Sequence, residues 1–148
     1  HHQKNIDVNG VRLSLEIWDT AGQERYRALG PVYYRNSNAA IAVFDVTSRE
    51  TMESLEDWVK AYRSTSEYDF VVIVGNKIDL ECEDKVDIEE AVEFGKTIGA
   101  DCFFTSAVTG FGIDEVFNKV ASYLAHTKMQ LLNGIDFDDT TKKSDKCC

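Results

Sequence analysis

No run of about 18 consecutive apolar residues occurs in this sequence, so nothing in it reads as a bilayer-spanning helix. Basic residues are scarce: 16 lysines and arginines stand against 26 aspartates and glutamates, a formal net charge of -10. A nucleic-acid backbone is therefore a poor partner for this surface. Cysteine is sparse as well, with Cys82 and Cys102 isolated in the body and Cys147 and Cys148 closing the chain. That is neither a disulfide framework nor a zinc spacing, and a reducing, intracellular compartment is the simpler reading. No secretory signal peptide is visible and no internal repeat runs through the chain. The first residue is His1 rather than Met, so the sequence reads as cut at its front.

What is present suffices for one domain: 148 residues, 43% of them apolar and 28% charged. Val11, Leu13, Leu15 and Ile17 alternate with Arg12, Ser14 and Glu16, the period of a half-buried strand. Asn9-Gly10 just before it is a hairpin turn signal, with "KNIDV" as the preceding strand. Three continuous apolar runs follow: "AAIAVFDV" over 39–46, "FVVIVG" over 70–75 and "CFFT" over 102–105. Such runs suit a parallel sheet covered on both faces. Helical patterns lie between them. Thr47-x-x-Glu50 predicts a capping box, followed by Met52, Leu55, Val59 and Tyr62 at helical spacing. Asp87-x-x-Glu90 predicts a second one, and Ile113, Val116, Phe117, Val120, Ala121 and Leu124 trace the clearest amphipathic helix. The alternation of strands and helices predicts an α/β fold with right-handed crossovers. From about Met129 the periodicity fades, and residues 128–148 read as a flexible polar tail.

Polar motifs sit at the strand ends, where open parallel sheets bind their ligands. Asp19-Thr20-Ala21-Gly22-Gln23 follows the first long strand, Asn76-Lys77-Ile78-Asp79 follows "FVVIVG", and Thr105-Ser106-Ala107 follows "CFF". Each alone has a plain structural explanation. Asp and Thr cap helices, Gly turns chains, and a polar loop needs no ligand. At residue frequencies of roughly 5%, an N-K-x-D arises by chance in about 2% of chains this long. Together, in this order and at these strand ends, the motifs leave the structural explanation weak.

The set resembles the small GTPases of the Ras superfamily. "WDTAGQERY", "YYR", "GNKID" and "TSA" together resemble the Rab branch, and "ALGPVYYRNSNAAIAVFDVT" is similar to the endosomal Rabs. The resemblance covers residues 3 to about 127, so residues 1–127 would be part of a small GTPase domain. It implies the P-loop-NTPase-like fold, a mostly parallel sheet with helices on both faces. It further implies GTP or GDP with Mg2+ as ligands, and hydrolysis of GTP. By the resemblance, Asp19 would hold the magnesium ion through a water, the Gly22 amide would bond the γ-phosphate, and Gln23 would orient the attacking water while a partner's arginine stabilises the transition state. Asp79 would accept two hydrogen bonds from the guanine edge; adenine offers no such donor pair, and an unpaired carboxylate is costly. Lys77 would lie along the base and ribose, Asn76 would tie the loops together, and Ser106 and Ala107 would stand at the guanine carbonyl, met by the Ala107 amide. Trp18 and Tyr33 would belong to an effector-binding surface. The alternation supports this for Trp18, which shares the face of Arg12, Ser14 and Glu16. Cys147 and Cys148 would accept two geranylgeranyl groups, and two lipids anchor stably where one is marginal. The implied partners are an exchange factor, a GTPase-activating protein, a GDP-dissociation inhibitor and effectors. The implied location is the cytoplasmic face of intracellular membranes, the endosomal ones among them, with a cytosolic pool.

The chain also departs from the family. No G-x-x-x-x-G-K-[ST] phosphate loop occurs. Gly95-Lys96-Thr97 imitates its end, but position 90 is Glu and the stretch lies late in an amphipathic helix. Gly110-Phe111-Gly112 lacks a third glycine and suits a loop before the last helix. Val108 stands where Rabs usually carry the Lys that covers the guanine, giving an apolar cover in place of a charged one. The family's first strand, phosphate loop, first helix and first switch would all precede His1. The lost strand is central, and its loss would cost more than the whole margin of about 5–15 kcal/mol. The sequence therefore reads either as an incomplete piece of a GTP-hydrolysing switch or as a truncated, nucleotide-free binding module. Sequencing the gene upstream of His1 separates the two: an in-frame G-x-x-x-x-G-K-[ST] is expected, and a stop codon immediately before His1 would overturn that expectation.

Overall fold

A computed structural model of the chain describes residues 1–20 and 30–146. His2–Val8 (β1) and Val11–Ile17 (β2) form an antiparallel hairpin in which Val8 pairs with Val11 and Ile6 with Leu13. Asn9 and Gly10 turn it with φ of 50° and 79°, the two left-handed residues that a tight hairpin requires. Alternation sends Ile6, Val8, Val11, Leu13, Leu15 and Ile17 to one face, where they pack on Phe117, Ala121, Leu124 and Ala125. Arg12, Ser14 and Glu16 take the exposed face.

Ala40–Asp45 (β3), Val71–Asn76 (β4) and Asp101–Phe104 (β5) form a parallel sheet with β4 in the middle. The continuous apolar run of β4 is explained by its two covered faces. Ile73 points into a cluster with Phe44, Val46, Met52, Leu55 and Ala91, while Val72 and Val74 face Val116 and Val120. The first cover comes from Arg49–Glu53 (α2), Leu55–Thr65 (α3) and Ile88–Ile98 (α4), and the second from Ile113–Lys146 (α5). Gly30–Tyr34 (α1) is a short helix that periodicity does not signal; its Tyr34 ring meets Tyr62 of α3 edge-on at 5.9 Å.

The sheet differs from the one expected. Among the described residues no ladder joins β2 to β3, so the hairpin and the parallel sheet are separate. They are coupled through α5: Val116 and Val120 lie on β4, Ala121 and Ala125 on the hairpin, and Leu124 reaches both clusters. The helix also runs on to Lys146, past the point where its apolar periodicity ends.

Helix starts divide as well. The capping box at Thr47 does not form. The residue before α2 is Ser48, which makes no side-chain cap bond, and Thr47 serves Asp45 instead. The expected single helix is split at Ser54. There the Thr51 and Ser54 hydroxyls donate to the carbonyls of Ser48 and Thr51, at 2.6 and 2.9 Å, competing with the regular ladder. At α4 half of the box forms: Asp87 accepts from the Glu90 amide at 2.8 Å. The Glu90 carboxylate turns to Arg49, which binds both of its oxygens at 2.6 and 2.7 Å and clips α2 to α4. That ion pair holds the Glu90 carboxyl below its ordinary range.

Gly75 shows how tightly β4 is enclosed. A methyl group built on it would lie 2.8 Å from the Phe44 ring, 2.9 Å from Val46 and 3.1 Å from the Phe104 ring. Gly75→Ala is expected to destabilise the protein by about 1–3 kcal/mol through overpacking. Chemical denaturation measures this, and an unchanged midpoint would contradict the packing described.

Candidate functional site

The parallel register brings the strand ends level. Asp45 at the end of β3 pairs with Asn76 at the end of β4, and Gly75 pairs with Phe104 at the end of β5. The polar residues that follow therefore emerge along one edge of the sheet, although 29 positions separate Asn76 from Thr105.

Asn76 is the junction. Its side-chain oxygen accepts from the Thr105 hydroxyl at 3.0 Å and from the Ala107 amide at 3.1 Å. The Ile78 amide donates to the Thr105 carbonyl at 3.2 Å, so backbone as well as side chain joins the two loops. Ser106 is buried, donating to Asp79 at 2.7 Å and accepting from the Thr109 amide at 3.1 Å. A carboxylate has about four acceptor positions and Ser106 occupies one, so exposed Asp79 keeps capacity for a further pair of donors. Gly112 keeps the second loop close: its φ is 73°, and a methyl group on it would collide with the Phe104 carbonyl oxygen. Lys85 adds a bond to the Ile78 carbonyl at 2.8 Å.

Lys77 adopts a left-handed φ of 67°, a conformation that costs a non-glycine residue on the order of 1 kcal/mol and concentrates at binding sites. Its ammonium group reaches Asp45 at 2.7 Å. Asp45 also accepts from the Thr47 amide and hydroxyl at 2.9 and 2.6 Å. Partial burial works against ionisation of Asp45, but Lys77 and Thr47 outweigh it and hold the carboxyl below its ordinary value.

Of the residues singled out in the sequence, the structure ties Asn76, Ser106 and Ala107 to the two loops by hydrogen bonds, Asp79 joins through Ser106, and Lys77 reaches Asp45 instead. Val108 follows this cluster and is 85% exposed. Thr105 lies in a strand-end motif without an assigned role, and Asp45 is not singled out as a site residue. The signal for Asp45 was its place as the last, polar residue of an apolar strand, but only the register sets it beside Asn76. Trp18 and Tyr33 also come together, with ring centroids 6.1 Å apart, and Trp18 is 55% exposed, as its alternation predicts. The His1 ring meets Trp18 in a tilted arrangement, with centroids 4.7 Å apart. Asp19 is exposed just beyond β2. Gly22, Gln23, Cys147 and Cys148 lie outside the described residues. The two imitation motifs are structural: Gly95 is a packing contact within α4, and Gly110 and Gly112 shape the loop before α5. Cys82 is exposed, whereas burial pushes the Cys102 thiol up to about 11. No described helix is long and apolar enough to cross a membrane.

Residues 1–126 match the Ras family model. The chain belongs to the Ras family. Its relatives include the Ras-related protein Rab-21 of Mus musculus, 45% identical over 125 residues, and that of Homo sapiens, 44% identical over the same length. Each alignment covers 84% of this chain and 56% of the relative. Ras-related protein Rab-2B of Dictyostelium discoideum is 42% identical over 117 residues, 78% of this chain and 58% of the relative. The chain therefore spans little more than half the length of these Rab proteins. Within the family, the α/β arrangement of a parallel sheet covered on both faces is the small GTPase fold, and the likeness is to its Rab branch.

Ser106 is the buried pivot of the second loop. Ser106→Ala removes the donor to Asp79 and leaves the Thr109 amide without its acceptor, and is expected to cost about 1–3 kcal/mol. Urea unfolding tests this; a loss below the measurement error would show that water replaces the hydroxyl at no cost.

Proposed function

We propose that this chain is part of a Rab-like molecular switch that binds guanine nucleotide, hydrolyses GTP and acts in vesicle and endosomal membrane traffic. The observation that carries the reading is the bonded cluster of Asn76, Asp79, Thr105, Ser106 and Ala107 at the carboxyl edge of a parallel sheet. Asp79, with free acceptor capacity, takes the two donors of the guanine edge and so selects guanine over adenine. Lys77 lies along the base, and Val108 covers it with apolar surface. The Ala107 amide lies at the same edge but donates to Asn76, so it serves a guanine carbonyl only by sharing or turning from that bond.

Asp19 is the carboxylate for magnesium. A magnesium ion is bound through one or two carboxylates together with phosphate oxygens and water, so a single Asp suits it. When bound, it neutralises charge that develops on the phosphates. Gly22 bonds the terminal phosphate through its amide, and Gln23 orients the water that attacks it, assisted by an arginine from a GTPase-activating partner. Trp18 and Tyr33 present the surface that effectors read in the GTP state. Residues 1–127 supply this part of the GTPase domain. Residues 128–148 form the segment that reaches the membrane, and geranylgeranyl groups on Cys147 and Cys148 hold the protein there, in exchange with a cytosolic pool bound to GDP-dissociation inhibitor.

Titration of the full-length protein with fluorescent guanine and adenine nucleotides tests the reading. Saturable binding of the guanine compound alone is expected. Asp79→Ala should weaken it about 10- to 100-fold, the worth of hydrogen bonds to a charged acceptor. Equal affinity for both bases, or indifference to Asp79→Ala, removes the base-recognition role. No saturable binding of either nucleotide favours the nucleotide-free binding module.

A further inference from the structure

Lys77 presents a problem that its own loop does not solve. A lysine side chain is a flexible four-carbon stem, and an unanchored one samples many rotamers. Here the stem leaves the loop after β4 and ends 2.7 Å from Asp45, on the neighbouring strand. Asp45 is itself anchored. One carboxylate oxygen accepts both Thr47 bonds, at 2.9 and 2.6 Å, which leaves the other oxygen for Lys77. The Asp45 amide donates to the Thr51 hydroxyl at 2.9 Å, and Thr51 in turn donates to the Ser48 carbonyl at 2.6 Å. The backbone beyond Asp45 is tied to the site as well, since the Val46 amide donates to the Asn76 carbonyl at 3.1 Å. The side chain of Asp45 is about one-fifth exposed against about half for Lys77, so the anchor is the less solvated partner.

We propose that Asp45 is a positioning residue of this site: anchored on β3 and by Thr47, it holds the Lys77 side chain in one orientation across the strand ends. Asp45 touches no ligand and acts through Lys77. The inference rests on the reading of residues 76–79 as a base-binding loop. It adds that nucleotide residence depends on the β3–α2 corner, which lies outside the DTAGQ, NKID and TSA motifs.

Dissociation of a fluorescent guanine nucleotide from the full-length protein tests this. Asp45→Asn keeps an oxygen for Thr47 and removes the charge opposite Lys77. It is expected to speed dissociation about three- to fivefold, the upper range for a partly exposed ion pair. In a Lys77→Ala background the same substitution should have no further effect, a non-additivity that a general loosening of the fold would not produce. An unchanged rate in Asp45→Asn, or additive effects in the cycle, overturns the proposal. Should Asp45→Asn fail to fold, Thr47→Val removes the hydroxyl bond to the Asp45 carboxylate, keeps the amide bond and leaves the charge in place. Faster dissociation is then expected, and an unchanged rate overturns the proposal. No binding by the unsubstituted protein would overturn the base-binding reading and this inference together, whereas binding that ignores Asp45 overturns this inference alone.

Discussion

One side-chain oxygen holds the site together. Asn76 stands at the end of the buried central strand and catches a hydroxyl and an amide from the loop after β5. The strand delivers it there because β4 cannot slide. Its two faces are filled by different clusters, and a one-residue shift would exchange Ile73 with Val72 and Val74 between them. Gly75, wedged among Phe44, Val46 and Phe104, removes the remaining slack. Hydrophobic packing thus sets the height of Asn76, and Asn76 sets the height of Thr105, Ser106 and Ala107. Asp79 follows through Ser106, so a polar loop gains definition from a dry interior.

A second constraint acts through α5. Among the described residues the hairpin and the parallel sheet share no ladder, and one helix lies against both. Two neighbouring rows of α5 differ: Ala121 and Ala125 lie on the hairpin, while Val116 and Val120 fill the valine face of β4. Asp19 and Trp18 are carried by the hairpin, and Asn76 and Asp79 by the sheet. Among the described residues, the placement of Asp19 relative to the Asn76 cluster is therefore set by side-chain packing on one helix.

Local chemistry predicted some elements and missed others for definite reasons. The Asn9-Gly10 turn was legible because few residue pairs accept two left-handed conformations in succession. The apolar runs were legible as parallel strands because burial on both faces removes alternation. The capping box at Thr47 failed because the helix begins one residue later, after Ser48, and the Thr47 hydroxyl points back to donate to the Asp45 carboxylate. The one at Asp87 was half realised because Arg49, 41 positions from Glu90, offers two charge-assisted bonds in place of one backbone amide. In both cases a charged group drew the side chain away from the cap, a local one at Thr47 and one 41 positions away at Glu90.

The sequence by itself determined the family and the identity of the motifs. "DTAGQ", "NKID" and "TSA" are contiguous, and their order along the chain is their signature. It also determined that Trp18 faces outward, since alternation is a property of the strand alone. Only the tertiary structure decided that Asn76 would bond to Thr105 and Ala107, that Ser106 would hold Asp79, and that Lys77 would rest on Asp45. The reason is physical: these partners lie from 27 to 32 positions apart in the chain, and they meet because parallel register sets three strand ends side by side.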